Sequence, residues 1–281
     1  MMKKVLSMLM VTVMILTVLA VPAFADDGCT TYPYVTLDDS NDFTIVGDVS
    51  NTQTIKAVGL DSSWSKHDFT AIEKQYLTWT TSDSEVVKFV SGPTTVTSKT
   101  GVDQVTIKTM GQGTATVTVT YDTPDDAPVT VTSYVVVEGS TVTNSVSEVN
   151  IVVDGVSSDD FTMTFNTVPL FDLSDAGICT NDNDVLKKTP SAIHALLYAL
   201  EIYYSDETTS TAINNFDWNW VKKNVTIESE GSYVSRISND TNDYSNGWQF
   251  EVNSSAPNHA ASVIPLSDND GVTWKFKQFS W

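Results

Sequence analysis

From Gly113 to Tyr121 the chain alternates without a break, with Ala115, Val117, Val119 and Tyr121 on one side and Thr114, Thr116, Thr118 and Thr120 on the other. A period of two over this length demands a half-buried β-strand, because successive side chains of a strand point to opposite faces and those of a helix do not. Six further stretches rich in β-branched and aromatic residues surround it, at 43–46, 54–60, 76–81, 86–90, 102–110 and 129–137. Turn residues separate them, and nothing helical intervenes beyond a turn near 69–74. Short strands at this spacing predict a two-sheet sandwich over 41–138.

Residues 139–281 read differently. Strands are expected at 149–153 and 161–165, followed by a helix with Thr189 as its cap and Pro190 at its first position. Ile193, Leu196, Leu197, Leu200 and Tyr204 form its apolar stripe. A lone amphipathic helix among strands has to bury that stripe against a sheet. Later strands are expected at 224–229, 248–253 and 272–279. The fold class is therefore mainly β, an N-terminal Ig-like β-sandwich followed by a small α+β domain with one helix packed on a sheet.

Residues 1–25 carry an address and 26–40 an N-terminal extension. Lys3 and Lys4 precede an apolar run from 5 to 21 that closes on Ala23-Phe24-Ala25, the pattern of a secretory signal with small residues at the cleavage positions. The alternative is an uncleaved anchor, but Ser7, Thr12 and Thr17 interrupt a run already marginal against the ~20 apolar residues of a spanning helix. Cys29 does not read as a lipid-attachment site, since Asp26, Asp27 and Gly28 stand where an apolar residue is needed. The expected product is secreted or held at the cell surface by contacts, without membrane insertion after cleavage. Loss of Lys3 and Lys4 leaves 13 basic against 35 acidic residues, a net charge of −22. Nucleic acid is then a poor partner, because binding a phosphate backbone relies on Lys and Arg displacing counterions and the single arginine is Arg236. Anionic headgroups are repelled likewise. The acids are spread along the chain, which fits solubility better than a specific acidic site. Cys29 and Cys179 either pair in an oxidising compartment, tying the extension to the second domain, or remain free; sequence alone leaves both open.

Two stretches carry resemblances. Residues 76–87, Tyr-Leu-Thr-Trp-Thr-Thr-Ser-Asp-Ser-Glu-Val-Val, followed by Gly-Gln-Gly-Thr-Ala-Thr-Val-Thr-Val at 111–119, resemble a bacterial immunoglobulin-like domain of the Big2 type. The resemblance implies a core position for Trp79, a turn at Ser82-Asp83 and a late strand opened by the glycine run. Between Ser91 and Met110 a longer stretch replaces the family's short hairpin. Such domains act as spacers or adhesive modules. The second set is Gly231-Ser-Tyr233, Gly247-Trp-x-aromatic-x-Val-Asn253, and an Asp-rich turn before Val272, Trp274 and Phe276. It resembles the transcobalamin C-terminal-like domain, of the DUF4430 type, found in bacterial surface and secreted proteins. This implies a non-catalytic, β-rich binding module outside the cell. In transcobalamin-like proteins the domain covers one face of a corrinoid while a helical barrel supplies much of the remaining pocket. This sequence has no helical barrel, so cobalamin is not carried over and no cofactor is expected.

The chemistry of the side chains is chiefly one of absences. His67, His194 and His259 lie far apart and read as surface or packing residues, His194 at the border of the helix stripe; metal ligation is not expected. No carboxylate pair is singled out. Asp182-Asn-Asp184 and Asp268-Asn-Asp270-Gly271 hint at calcium loops but lack the glycine at position six and the glutamate at twelve. A hairpin turn suits the second better, with incidental calcium as the residual alternative. Aromatic residues are the remaining lead. Trp248, Phe250 and Val252 share one face and read as core. Phe216, Trp218 and Trp220 also alternate and are either core or an exposed binding stripe. Trp218 and Trp220, together with Asn253 at the family's Val-Asn position and a variable tip at 254–259, are the candidate ligand contacts. Phe279 and Trp281 either close a domain contact or meet a ligand.

These readings point to a secreted or cell-surface, non-catalytic binding or adhesion protein. An Ig-like spacer presents the C-terminal domain to an extracellular ligand, whether glycan, polypeptide or small molecule. The alternatives are a secreted hydrolase using paired carboxylates and a structural component of a surface layer.

Overall fold

In the computed structural model the alternating stretch is a nine-residue strand with Ala115, Val117, Val119 and Tyr121 buried and the threonines turned outward. The structure describes residues 32–278 except 125, 159, 179–184, 206, 229–232 and 258. The export segment, Cys29, Cys179, Asp182, Asp184, Gly231, Phe279 and Trp281 lie outside the described residues, and the expected cysteine pairing with them.

The first body is built from β1 (Tyr34–Leu37), β2 (Thr44–Asp48), β3 (Thr52–Leu60), β4 (Lys66–His67), β5 (Leu77–Thr81) and β6 (Val87–Ser91), then β7 (Thr94–Val96), β8 (Ser98–Thr100), β9 (Gln104–Thr109), β10 (Gly113–Tyr121) and β11 (Val129–Glu138). One sheet runs β1-β3-β9-β6-β7 with β4 beside β3, and the other runs β2-β11-β10-β5-β8. Their inner faces share one core that includes Leu37, Ile55, Trp79, Phe89, Ile107 and Val119. Trp79 is fully buried, and its indole N–H donates to the Val102 carbonyl at 2.9 Å. The longer stretch after Ser91 turns at Gly92, whose φ of +59° suits glycine, into β7 against β6. The chain then crosses to the other sheet, where β8 pairs with β5. Each sheet thus ends on a strand of three residues, a length that offers little to an intruding chain. Tyr34–Leu37 falls in the stretch read as an extension, yet it pairs antiparallel with β3 and buries Val35 and Leu37. Four residues are too few to show a period.

The second body contains β12 (Ser145–Val146), β13 (Val149–Asp154), β14 (Phe161–Phe165), β15 (Val168–Pro169), α1 (Ala192–Tyr204) and α2 (Asn219–Asn224). It continues with β16 (Val225–Glu228), β17 (Tyr233–Ile237), β18 (Asp240–Thr241), β19 (Asn246–Val252) and β20 (Gly271–Gln278). The main sheet runs β14-β13-β20-β19, with β13 and β20 parallel; β16, β17 and β18 form a smaller sheet. The fold is mainly β, as expected, but the helix differs in three respects. Residues 192–201 of α1 are buried all round, so it is an interior helix and not a one-sided one. Its cap is Ser191, not Thr189, and Pro190 precedes the cap. Finally it is not alone, because the buried Glu201 carboxylate accepts the Val221 and Trp220 N–H groups at 2.9 and 3.4 Å and thereby caps α2.

His194 closes the first turn of α1 and is fully buried, not at a border. Its Nε2–H donates to the Phe171 carbonyl at 3.0 Å, which leaves Nδ1 to accept from the Ser191 N–H at 3.1 Å and hydroxyl at 2.8 Å. The arrangement is a capping box with histidine in the place usually held by Glu or Gln. Burial pushes the imidazole pKa down to about 4, so the ring is neutral.

Candidate functional site

The expected contact stripe at 216–220 packs largely as core. Trp218 is 2 % exposed, wedged between Phe171 and Phe216 at ring distances of 4.6 and 5.2 Å, and so is not available to a ligand. It adopts a left-handed φ of 58° at the start of α2, so the local chain is not a strand and its alternation creates no exposed face. Trp220 is half-buried and lies flat on Tyr204 at 4.1 Å. Asn253 is exposed, but its side chain fastens a turn: Oδ1 accepts the Gly271 N–H at 2.9 Å and Nδ2 donates to Asp270 at 2.7 Å. Asp270 also accepts the Ser267 N–H, and Asp268 accepts the Ser147 N–H, each at 2.7 Å. Turn formation therefore occupies this acidic run. Among the described residues no three of His, Cys, Asp and Glu stand together as a metal site.

A second group of aromatic residues gathers where the two bodies join. Glu138, the last residue of β11, is buried and accepts the N–H groups of Lys187 at 3.1 Å and Lys188 at 2.7 Å from the second body. Lys188 in turn pairs with Asp48 of β2. Beside these contacts Val136, Leu186 and Val263 form a small buried cluster. Tyr134 of β11 stacks on His259 with ring centroids 3.5 Å apart and 9° between planes. Charge-assisted hydrogen bonds, an ion pair, apolar packing and a ring stack together fix the mutual placement of the bodies.

A cleft of about 520 Å³ opens next to this joint. Phe43, Thr44, Thr132 and Tyr134 of the sandwich form one wall. The other is the apolar face of the main sheet where α1 does not cover it: Trp248 and Phe250 from the edge strand β19 and Trp274 from β20. The register that sets Phe250 opposite Trp274 brings their rings to 5.0 Å, nearly parallel. Trp248 is anchored by its indole N–H, which donates to the Asp240 carbonyl at 3.1 Å. Trp274 has no such anchor; it is 2 % exposed, and its indole N–H is buried without an acceptor.

Among the described residues that line the cleft there is no Asp, Glu, Lys or Arg, although the whole chain has a net charge of −20. His259 is held below its ordinary pKa by burial and so is neutral near pH 7. Burial likewise lifts the Tyr134 hydroxyl, so it stays protonated. The described lining is thus uncharged and mostly aromatic, with hydroxyls from Thr44 and Thr132, and the cleft has the size and position common for small-molecule sites. Trp248 is 4 % exposed and Phe250 packs against the same core, as expected, but nothing in the sequence indicates that they stand across from Tyr134, more than a hundred residues away. The one pointer was the tip at 254–259, whose His259 reaches the cleft wall.

The family described as Domain of unknown function (DUF4430) matches residues 210–278, the segment from α2 through β20 with a short lead. No curated protein matches. Among solved structures, domains 4 and 5 of the S-layer protein SbsC align at 16 % identity and a TM-score of 0.26, over 38 % of this chain and 52 % of that one. The chain therefore spans about half the length of that structure. A putative metal binding protein from Ruminococcus gnavus aligns at 13 % identity and a TM-score of 0.27, over 48 % and 99 %. Fibronectin(III)-like modules of Clostridium thermocellum CbhA align at 12 % and 0.23, over 47 % and 62 %. Overlaps this loose carry no functional argument.

Proposed function

We propose that the protein is an exported, non-catalytic binding protein whose ligand sits in the cleft between the two bodies. The observation that carries this reading is the uncharged, mostly aromatic lining, in which Phe43, Tyr134, Tyr233 and Phe250 are partly exposed, in an otherwise strongly anionic chain. Such a lining favours a flat, neutral ligand that lies against the exposed rings and meets the hydroxyls at the rim. The Ig-like body then supplies a wall of the site and is more than a spacer. The non-catalytic part of the reading draws support from the buried carboxylates, since Asp42, Glu138, Glu201 and Asp240 each accept hydrogen bonds that hold the fold. The Lys-Lys, apolar, Ala-x-Ala start of the chain supports export, with a mature N-terminus at Asp26. No helix among the described residues is long and apolar enough to cross a membrane.

Titration of the mature protein against neutral aromatic and heterocyclic compounds, read by tryptophan emission, tests the cleft. Phe250→Ala removes a partly exposed ring from the cleft wall and is expected to weaken binding roughly ten-fold, the loss typical of an aromatic anchor. Tyr134→Ala should weaken it further. Binding that survives both changes intact places the ligand elsewhere.

A further inference from the structure

The sandwich bears a second group of exposed rings, remote in sequence from the cleft. Tyr34 at the start of β1 is 47 % exposed and Trp64 is 66 % exposed; their rings stack at 4.8 Å, 8° from parallel. We infer that this pair is a binding platform for uncharged polysaccharide.

Packing does not call for a tryptophan there. Trp64 sits at φ 65°, a left-handed conformation that costs a bulky side chain energy, and most of its indole remains in water. The turn that holds it outward is heavily fastened. The Asp61 carboxylate accepts the N–H groups of Ser63 at 2.8 Å and Ser65 at 3.0 Å and the Ser63 hydroxyl at 2.6 Å, while its other oxygen meets His67 at 2.8 Å. The Trp64 N–H closes the turn on the Asp61 carbonyl at 3.0 Å. A strained, exposed and rigidly presented ring is a pattern that accompanies recognition.

The surroundings select the ligand. Lys66, two residues beyond Trp64, reaches the Asp38 carbonyl, and β1 leads from Tyr34 directly to Asp38. Both residues belong to a groove of about 640 Å³ whose lining also includes Gln53, Thr54, Lys56 and Gln104. The platform therefore adjoins a bank of hydroxyl, amide, carboxylate and ammonium groups. A lipid surface or an apolar protein face asks for a continuous apolar patch, and here the rings are bordered by hydrogen-bonding groups. A polyanion is repelled by the chain as a whole, and the groove lysines are already paired: Lys56 with Asp68 at 2.6 Å, and Lys56 and Lys66 with Asp38 at 3.7 Å. A pyranose ring fits both halves, with its C–H face on the free side of the Trp64 indole and its hydroxyls over the groove.

The test uses the mature protein. It combines sedimentation with microcrystalline cellulose, chitin and insoluble xylan with affinity electrophoresis through hydroxyethylcellulose and galactomannan, and takes polygalacturonate as the anionic comparison. Retention by at least one neutral polysaccharide and none by polygalacturonate is expected. Trp64→Gly should weaken that retention roughly ten-fold or more, the loss typical of an aromatic anchor. The same change should leave Tm equal or higher, because glycine is at ease at positive φ. Trp64→Phe should recover part of the binding, and Phe250→Ala should leave it unchanged, which separates this site from the cleft. Absence of retention on every neutral polysaccharide overturns the inference. So does retention by polygalacturonate alone, or retention that Trp64→Gly leaves intact.

Discussion

His194 holds three hydrogen bonds without a charge, and protonation has to break the pattern, because a protonated Nδ1 can no longer accept from Ser191. Its folded pKa of about 4 lies below the ordinary 6.5, so the unfolded chain binds the proton first. Stability contributed by this residue is complete above pH 6.5, declines as pH falls, and is gone near pH 4. The expected loss is about 3 kcal/mol across that window. Glu201, lifted by burial, contributes in the opposite direction, so the comparison that isolates His194 is urea unfolding of the wild type and His194→Gln at each pH. The pH dependence between 6.5 and 4 should flatten in the variant. Asp240 acts at a lower pH. Burial pushes its carboxyl up, but the N–H groups of Val156, Ser157 and Ser158, at 2.9 to 3.0 Å, outweigh burial and leave it below the ordinary carboxylate range. Its contribution persists down to about pH 4 and disappears below that. Asp240→Asn should blunt the acid-induced loss that remains in the His194 variant.

The strands of the sandwich announce themselves because Thr and Val alternate over stretches long enough to show a period. β10 and β14 have the expected bounds and most others fall within two residues. Strands β1, β4, β7 and β8 have two to four residues each, and no pattern can emerge at that length. The helix was legible from its apolar residues but its cap was not, since Thr189 and Ser191 are equally good cap types and only the tertiary position of His194 decides between them. Ser191→Ala should therefore cost about 1–2 kcal/mol and Thr189→Ala less than about 0.5 kcal/mol, measured by denaturant midpoints. The cleft was illegible for another reason. Each of its walls obeys the ordinary rule that one strand face is apolar, and sequence does not say where α1 stops covering the sheet. The 216–220 segment misleads in the reverse sense, because its period of two comes from a left-handed residue entering a helix.

Across the whole molecule, the joint at Glu138 determines whether the two bodies act as one. Glu138→Ala leaves the Lys187 and Lys188 N–H groups without their acceptor and should cost about 2–4 kcal/mol of coupling. The expected signature is calorimetric: a transition shared by both bodies in the wild type separates into two in the variant, and cleft binding weakens with it. High salt should loosen the joint only slightly, since the exposed Lys188–Asp48 pair is screened while the Glu138 contacts are buried. The main sheet of the second body also imposes an order of assembly. β20 lies inside that sheet, parallel to β13 and flanked by β19, so the strand first made and the strand last made are neighbours. The sandwich can close once Glu138 has emerged from the ribosome. Its companion must wait, unfinished, until Gln278 has followed, and a chain clipped ahead of Gly271 would have a mature front half attached to a tail that cannot be completed.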